Sequence, residues 1–212
     1  MNKKNSKVFV IDDDDETRQG LTLLLKSYRY NVNSYQGVEQ FIKNDNYSGA
    51  GCILLDVFLK GRTGLELQAE IESKFECLPI IFMSGRGNIS MSVEALKKGA
   101  INFLQKPIDE EELIKAMDEA LNTSEAIVAR YNEIDRIRTL IHSLTAREFE
   151  IFRYVITGML NKQIADELGI SEHTIKNHRL KITEKLGVKS VAEMVYMADK
   201  LSIKAAEVKQ IF

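Results

Sequence analysis

Residues 52–67 read CILLDVFLKGRTGLEL. Cys52 to Leu55 form an unbroken apolar run that stops at Asp56. A run without alternation fits a strand buried on both faces, as in a parallel sheet. The arrangement recurs outward from this stretch. VFVI (8–11) precedes Asp12 and Asp13, IIFM (80–83) precedes Ser84, and INFLQ (101–105) precedes Lys106. In an open α/β sheet the groups just past the carboxyl ends of parallel strands converge on one crevice. The spacing therefore predicts a single site holding Asp12, Asp13, Asp56, Ser84 and Lys106.

Three crowded carboxylates repel, and a hard, oxygen-seeking cation such as Mg²⁺ relieves the repulsion while leaving room for water and a phosphoryl group. One carboxylate can then act as nucleophile toward phosphorus, with a lysine and a hydroxyl holding the transferred oxygens. The chemistry suggested is aspartyl phosphorylation. Asp14, Asp15 and Glu16 read as first-turn residues favoured by a helix dipole rather than as further ligands.

IDDDDETR (11–18), LLDVFLKGRTGLEL (54–67), FMSGRG (82–87) and INFLQKP (101–107) together resemble the receiver domain of bacterial two-component response regulators. The resemblance implies a five-stranded, parallel, doubly wound, flavodoxin-like α/β domain over residues 1–122. It further implies that Asp56 is the phosphoacceptor, that Asp12 and Asp13 bind the metal, and that Phe58 lends its backbone carbonyl to it. Ser84 would be the switch hydroxyl, Phe103 the aromatic switch partner and Lys106 the phosphate-contacting lysine, followed by a cis bond to Pro107. One departure stands beside the site: receivers usually carry Met-Pro at the third and fourth positions after the phosphoacceptor, and this chain has Leu59 and Lys60. The change frees the loop backbone and adds a cation.

The chain has 212 residues and a net charge of −2, and its length allows one large domain or two small ones with their own cores. No apolar stretch approaches the ~20 residues of a membrane span, and aspartates interrupt the first apolar run, so a cytoplasmic protein without membrane association is expected. Cys52 and Cys77 read as reduced thiols, and His142, His173 and His178 lack the spacing of a hydrolytic zinc site. The charge divides unevenly. Residues 1–122 hold 15 Lys/Arg against 19 Asp/Glu, residues 123–143 hold 3 against 3, and residues 144–212 hold 11 against 9.

Residues 123–143, TSEAIVARYNEIDRIRTLIHS, contain neither proline nor glycine and predict a helical linker. Ile127, Ile134 and Ile141 lie seven apart, with Ile137 and Leu144 as a partial second row. This stripe suits either a short coiled coil between two copies or an amphipathic helix packed on its own domain.

From Leu144 onward, start signals mark four helices. Thr145/Glu148 and Ser190/Glu193 fit capping boxes, Ser171 precedes a further helical run, and Gly158, Gly169 and Gly187 mark ends. Ala165, Gly169 and Ile175 have the spacing a helix-turn-helix needs for its contact, turn and anchor positions. The face that follows presents His173, Thr174, Lys176, Asn177, Leu180 and Lys181. Lys176 and Asn177 suit base edges, while Lys162, Arg179 and Lys185 suit phosphates; Thr174 and Lys181 complete the expected DNA contacts.

Residues 144–201 resemble the LuxR-type DNA-binding domain. A receiver followed by such a domain is the layout of the NarL/FixJ subfamily of response regulators, here with domains expected at 1–122 and 144–212. The resemblance implies a transcription factor phosphorylated by a sensor histidine kinase, dimerising on phosphorylation, binding double-stranded DNA and working with RNA polymerase. Two other classes fit some of the residues. An aspartyl-phosphate hydrolase would use the same nucleophile, metal pair and lysine, although no carboxylate lies two residues after Asp56. A regulator indifferent to phosphorylation is the other alternative, supported by Lys60.

Overall fold

The computed structural model describes residues 6–44, 46–60, 62–85 and 89–207, the Ile89 side chain excepted. The chain divides into two compact units, Met1–Ala129 and Arg130–Phe212.

The first unit alternates β1 (Lys7–Ile11), α1 (Asp15–Ser27), β2 (Asn31–Tyr35), α2 (Val38–Asn44), β3 (Gly51–Asp56), α3 (Gly64–Lys74), β4 (Ile80–Ser84), α4 (Ile89–Lys97) and β5 (Asn102–Gln105), and then enters α5 (Glu110–His142). The strands form one parallel sheet in the order β2-β1-β3-β4-β5. Its two faces follow the period of two along each strand. Val8, Val10, Cys52, Leu54, Ile81, Met83 and Leu104 face Leu21 and Leu25 of α1 and Leu113, Met117 and Leu121 of α5. Phe9, Ile11, Ile53, Leu55 and Phe82 face Val38 and Phe41 of α2, Leu67 and Ile71 of α3, and Ala95 of α4. Burial on both faces is the reason the strands read as continuous apolar runs. This is the doubly wound, flavodoxin-like fold expected. Strand order reverses at β1/β3, so the crevice opens past Ile11 and Asp56.

Helix α5 spans 33 residues and runs through the segment expected to be a separate linker. Nothing in residues 110–142 breaks a helix, so the receiver's last helix and the linker form one element. Ile137, Ile141 and Leu144 are buried in the core of the second unit together with Ile151, Phe152, Ile164, Ile175 and Ile182. Of the two readings of the isoleucine stripe, its C-terminal part follows the amphipathic one.

The second unit continues with α6 (Ala146–Val155), α7 (Asn161–Leu168), α8 (Glu172–Leu186) and α9 (Val191–Lys200). Thr145 and Glu148 form the full capping box. Ser190 accepts from the Glu193 N–H, but the Glu193 carboxylate accepts from Lys189, one residue earlier than a box requires. Gly169 and Gly187 end α7 and α8 at φ +64°, the left-handed position where a Cβ would be strained. No helix among the described residues is long and apolar enough to cross a membrane.

Candidate functional site

The topology brings four strand ends together. Asp12 follows β1 directly, Asp56 and Ser84 are the last residues of β3 and β4, and Lys106 follows β5. Oxygens of Asp12, Asp13 and Asp56 all lie within 4.8 Å of one another. The Lys106 ammonium sits 2.7 Å from Asp12 Oδ2 and 3.2 Å from Asp56 Oδ1. Asp12 is fully buried, and its Oδ1 accepts the Asp14 N–H at 2.9 Å.

Local structure fixes each group. Asp14 caps α1 by accepting the Thr17 N–H at 2.7 Å, and Asp15 and Glu16 occupy the first turn, as their sequence position suggested. The Arg18 guanidinium donates to the Asp12 carbonyl at 2.8 Å, tying the turn back onto α1. A Cβ at Gly64 would stand 2.6 Å from the Asp56 carbonyl oxygen, so only glycine lets α3 start this close to β3. Phe58 pairs with Thr63 in an isolated antiparallel bridge, which closes the intervening loop at its two ends. Lys106 donates its N–H to the Ser84 carbonyl at 2.8 Å and precedes Pro107 through a cis bond. The Ser84 side chain is buried and Phe103 is half-buried against the core beside α2 to α4.

Electrostatics follow from this packing. Burial pushes the Asp56 carboxyl above its usual range; Lys106 pulls it down, and Asp12 and Asp13 push it further up. For Lys106, burial favours the neutral amine, but the hydrogen bond to Asp12 and the charges of Asp56 and Asp12 win and raise its pKa. Three carboxylates facing one half-buried ammonium keep a surplus of negative charge, and all donors are oxygen. The residues fit a hard divalent cation such as Mg²⁺. Sequence reasoning read Lys60 as an added cation and as the support for a regulator indifferent to phosphorylation; the structure places its ammonium 3.7 Å from Asp13 Oδ2.

The second unit supplies a separate surface. Ala165 and Ile175 are buried where α7 and α8 meet, and Gly169 makes the left-handed turn between them. Ile175, Ile182 and Leu186 form the inner face of α8. His173, Lys176, Asn177, Leu180 and Lys181 are exposed on the outer face, and Lys162 is exposed on α7. Thr174 is half-buried, its hydroxyl 2.8 Å from that of Ser171. Two expected phosphate contacts have partners inside the domain. Arg179 donates to the Met159 carbonyl at 3.4 Å. Lys185 lies 2.6 Å from Glu148 Oε2 and 3.1 Å from the Ser143 carbonyl, so its charge is tied to the start of α6 instead of projecting with the outer face.

Comparison with known proteins gives both surfaces a family. Residues 8–118 match the family described as response regulator receiver domain, and residues 142–198 match bacterial regulatory proteins of the luxR family. The chain is a response regulator of the NarL/FixJ type. Response regulator protein TodT of Pseudomonas putida is 35% identical over 201 residues, 95% of this chain and 88% of that protein. Transcriptional regulatory protein TdiR of Thauera aromatica is 38% identical over 191 residues, 90% and 84% of the two chains. Among solved structures, response regulator StyR superposes with a TM-score of 0.82 at 39% identity, covering 92% of this chain and 99% of that one. The response regulator carries a receiver and a LuxR-type DNA-binding domain and is a transcriptional regulator. Membership of this non-enzymatic family sets aside the hydrolase reading, which the absence of a carboxylate at Val57 and Phe58 already disfavoured.

Proposed function

We propose that this regulator is switched by phosphoryl transfer from a sensor histidine kinase to Asp56, and that the switch promotes dimerisation and operator binding. The observation that carries the reading is the cluster of Asp12, Asp13 and Asp56 within 4.8 Å, with Lys106 between Asp12 and Asp56. In the proposed step a carboxylate oxygen of Asp56 attacks phosphorus as the bond to the kinase imidazole nitrogen breaks, leaving an acyl phosphate. Bound by Asp12, Asp13, Asp56 and the Phe58 carbonyl, Mg²⁺ would supply neutralising charge for the phosphoryl oxygens. Lys106 would move from its two carboxylates to a phosphoryl oxygen, and Ser84 would donate its hydroxyl to another. Phe103, half-buried, would turn into the space Ser84 vacates. The surface of residues 89–98 and β5 would then favour a second copy; the Ile89 side chain, and Arg86 and Gly87 of the FMSGRG motif, lie outside what is described.

The outer face of α8 supports major-groove reading by Lys176 and Asn177, with phosphates met by Lys162 and Lys181. Exposed Leu180 beside them offers an apolar contact suited to a thymine methyl. A dimer would engage two half-sites about one helical turn apart, roughly 34–36 Å. Domain limits of 1–122 and 144–212, a cytoplasmic location and contact with RNA polymerase belong to the same proposal.

The test is sedimentation velocity with Mg²⁺, with and without beryllofluoride, using Asp56→Asn as control. A monomer that becomes a dimer only with beryllofluoride and an intact Asp56 supports the switch. No change in mass or shape favours a regulator that ignores phosphorylation.

A further inference from the structure

Each carboxylate of the acidic cluster faces an ammonium, but the two lysines involved differ in kind. Lys106 is 20% exposed and reaches both Asp12 and Asp56 at hydrogen-bonding distance. Lys60 is 86% exposed and meets only the edge of the cluster, at 3.7 Å from Asp13 Oδ2. Asp13 is itself the most open of the three, its side chain 21% exposed against 0% for Asp12 and 8% for Asp56. A cation arriving from solvent meets the cluster where Lys60 already stands.

We propose that Lys60 is a built-in competitor for the divalent cation, pairing with Asp13 in the metal-free receiver and raising the Mg²⁺ concentration the site requires. The inference rests on reading the cluster as the metal site, and it gives Lys60 a role separate from phosphate contact. The separation of 3.7 Å is that of an ion pair without a tight hydrogen bond, and the stem lies in water. Lys60 therefore swings aside at small cost, so it weakens binding without blocking it. Mg²⁺ must offset both the lost Asp13 pair and the repulsion from a nearby like charge. Exposed pairs are worth little, so the expected effect is modest, about two- to fivefold in Mg²⁺ affinity. Because the stem is exposed and the charge is screened by ions, the effect should shrink as salt rises.

The test is titration of the ¹⁵N-labelled full chain with MgCl₂, following amide shifts around Asp12 and Asp13, without any phosphodonor. Lys60→Gln should tighten Mg²⁺ binding about two- to fivefold, Lys60→Glu should tighten it further, and Lys60→Arg should match the parent. The difference should narrow between about 0.05 M and about 0.5 M KCl, where the Debye length falls severalfold. Equal or weaker binding by Lys60→Gln overturns the proposal, as does a tightening that high salt leaves unchanged, which would point to loop shape instead of charge. Failure of parent and variants alike to bind Mg²⁺ overturns the metal-site reading too, whereas equal binding by both removes only the role of Lys60.

Discussion

Lys185 and Glu148 form an ion pair at 2.6 Å that joins the end of α8 to the first turn of α6. The same Glu148 Oε2 accepts the Thr145 N–H at 2.8 Å, so one buried carboxylate both completes a helix cap and anchors a lysine 37 residues away. The Lys185 hydrogen bond and then the Thr145 N–H outweigh burial and lower the Glu148 pKa from an ordinary 4.5 to about 2.

The unfolded chain therefore binds the Glu148 proton at a higher pH than the folded domain does. Stability from this group is complete above about pH 4.5 and is lost as pH falls toward about 2. Glu148→Gln keeps the cap geometry but removes the charge. It should lower stability at neutral pH by about 1–2 kcal/mol and flatten the acid limb between those two pH values, as read by thermal unfolding of the DNA-binding domain's transition.

Lys185→Ala and Lys181→Ala should separate stability from DNA contact. On random-sequence duplex, loss of Lys181 should reduce the slope of log affinity against log salt by about 1. Lys185→Ala should leave that slope unchanged while lowering the melting temperature, because its charge belongs to Glu148. Fluorescence anisotropy across a salt series and a melting curve check both.

Lys106→Met leaves Asp12 and Asp56 buried without their ammonium. The receiver should lose about 1–3 kcal/mol without divalent ions, and MgCl₂ should recover more of that loss than it adds to the parent. Urea unfolding with and without MgCl₂ measures the difference.

Gly64→Ala tests how closely α3 must approach Asp56. The new Cβ meets backbone, which cannot rotate away, so a loss of about 1–3 kcal/mol is expected together with displacement of Asp56. Beryllofluoride binding should fall even under conditions where the variant remains folded, as followed by ¹⁹F NMR.

Much of the site was legible because strand ends are legible. Asp12, Asp56, Ser84 and Lys106 each follow an apolar run that stops abruptly, and parallel topology gathers such ends whatever the intervening sequence. Helix starts at Thr145 and Ser171 were equally readable, since a side-chain cap acts within three residues. Interactions between distant residues were not. Lys185 carries the same local signal as Lys181, and only the packing of α8 on α6 directs it to Glu148. No local signal marks the expected receiver limit at residue 122 either, because α5 runs on through it where neither glycine nor proline interrupts the helix. Ser124 likewise looked unremarkable. Its hydroxyl is fully buried, accepting the Gly51 N–H at 2.9 Å and donating to the Cys77 carbonyl.

Ser124 and Ile137 bracket a stretch of α5 in which no side chain is buried. Residues 125–136 are about three turns long, near the length at which an isolated helix is only marginal in water. Their order rests on continuity with helix anchored at both ends and on the hydrogen bond that the Tyr196 hydroxyl donates to Glu133 Oε1 at 2.8 Å. Neither core loses a member if they unwind, so this interval should exchange its amide hydrogens faster than either flank and be cut first by trypsin at Arg130 or Arg136. It acts as a fuse in the chain: it can open while the receiver and the DNA-binding core each stay folded.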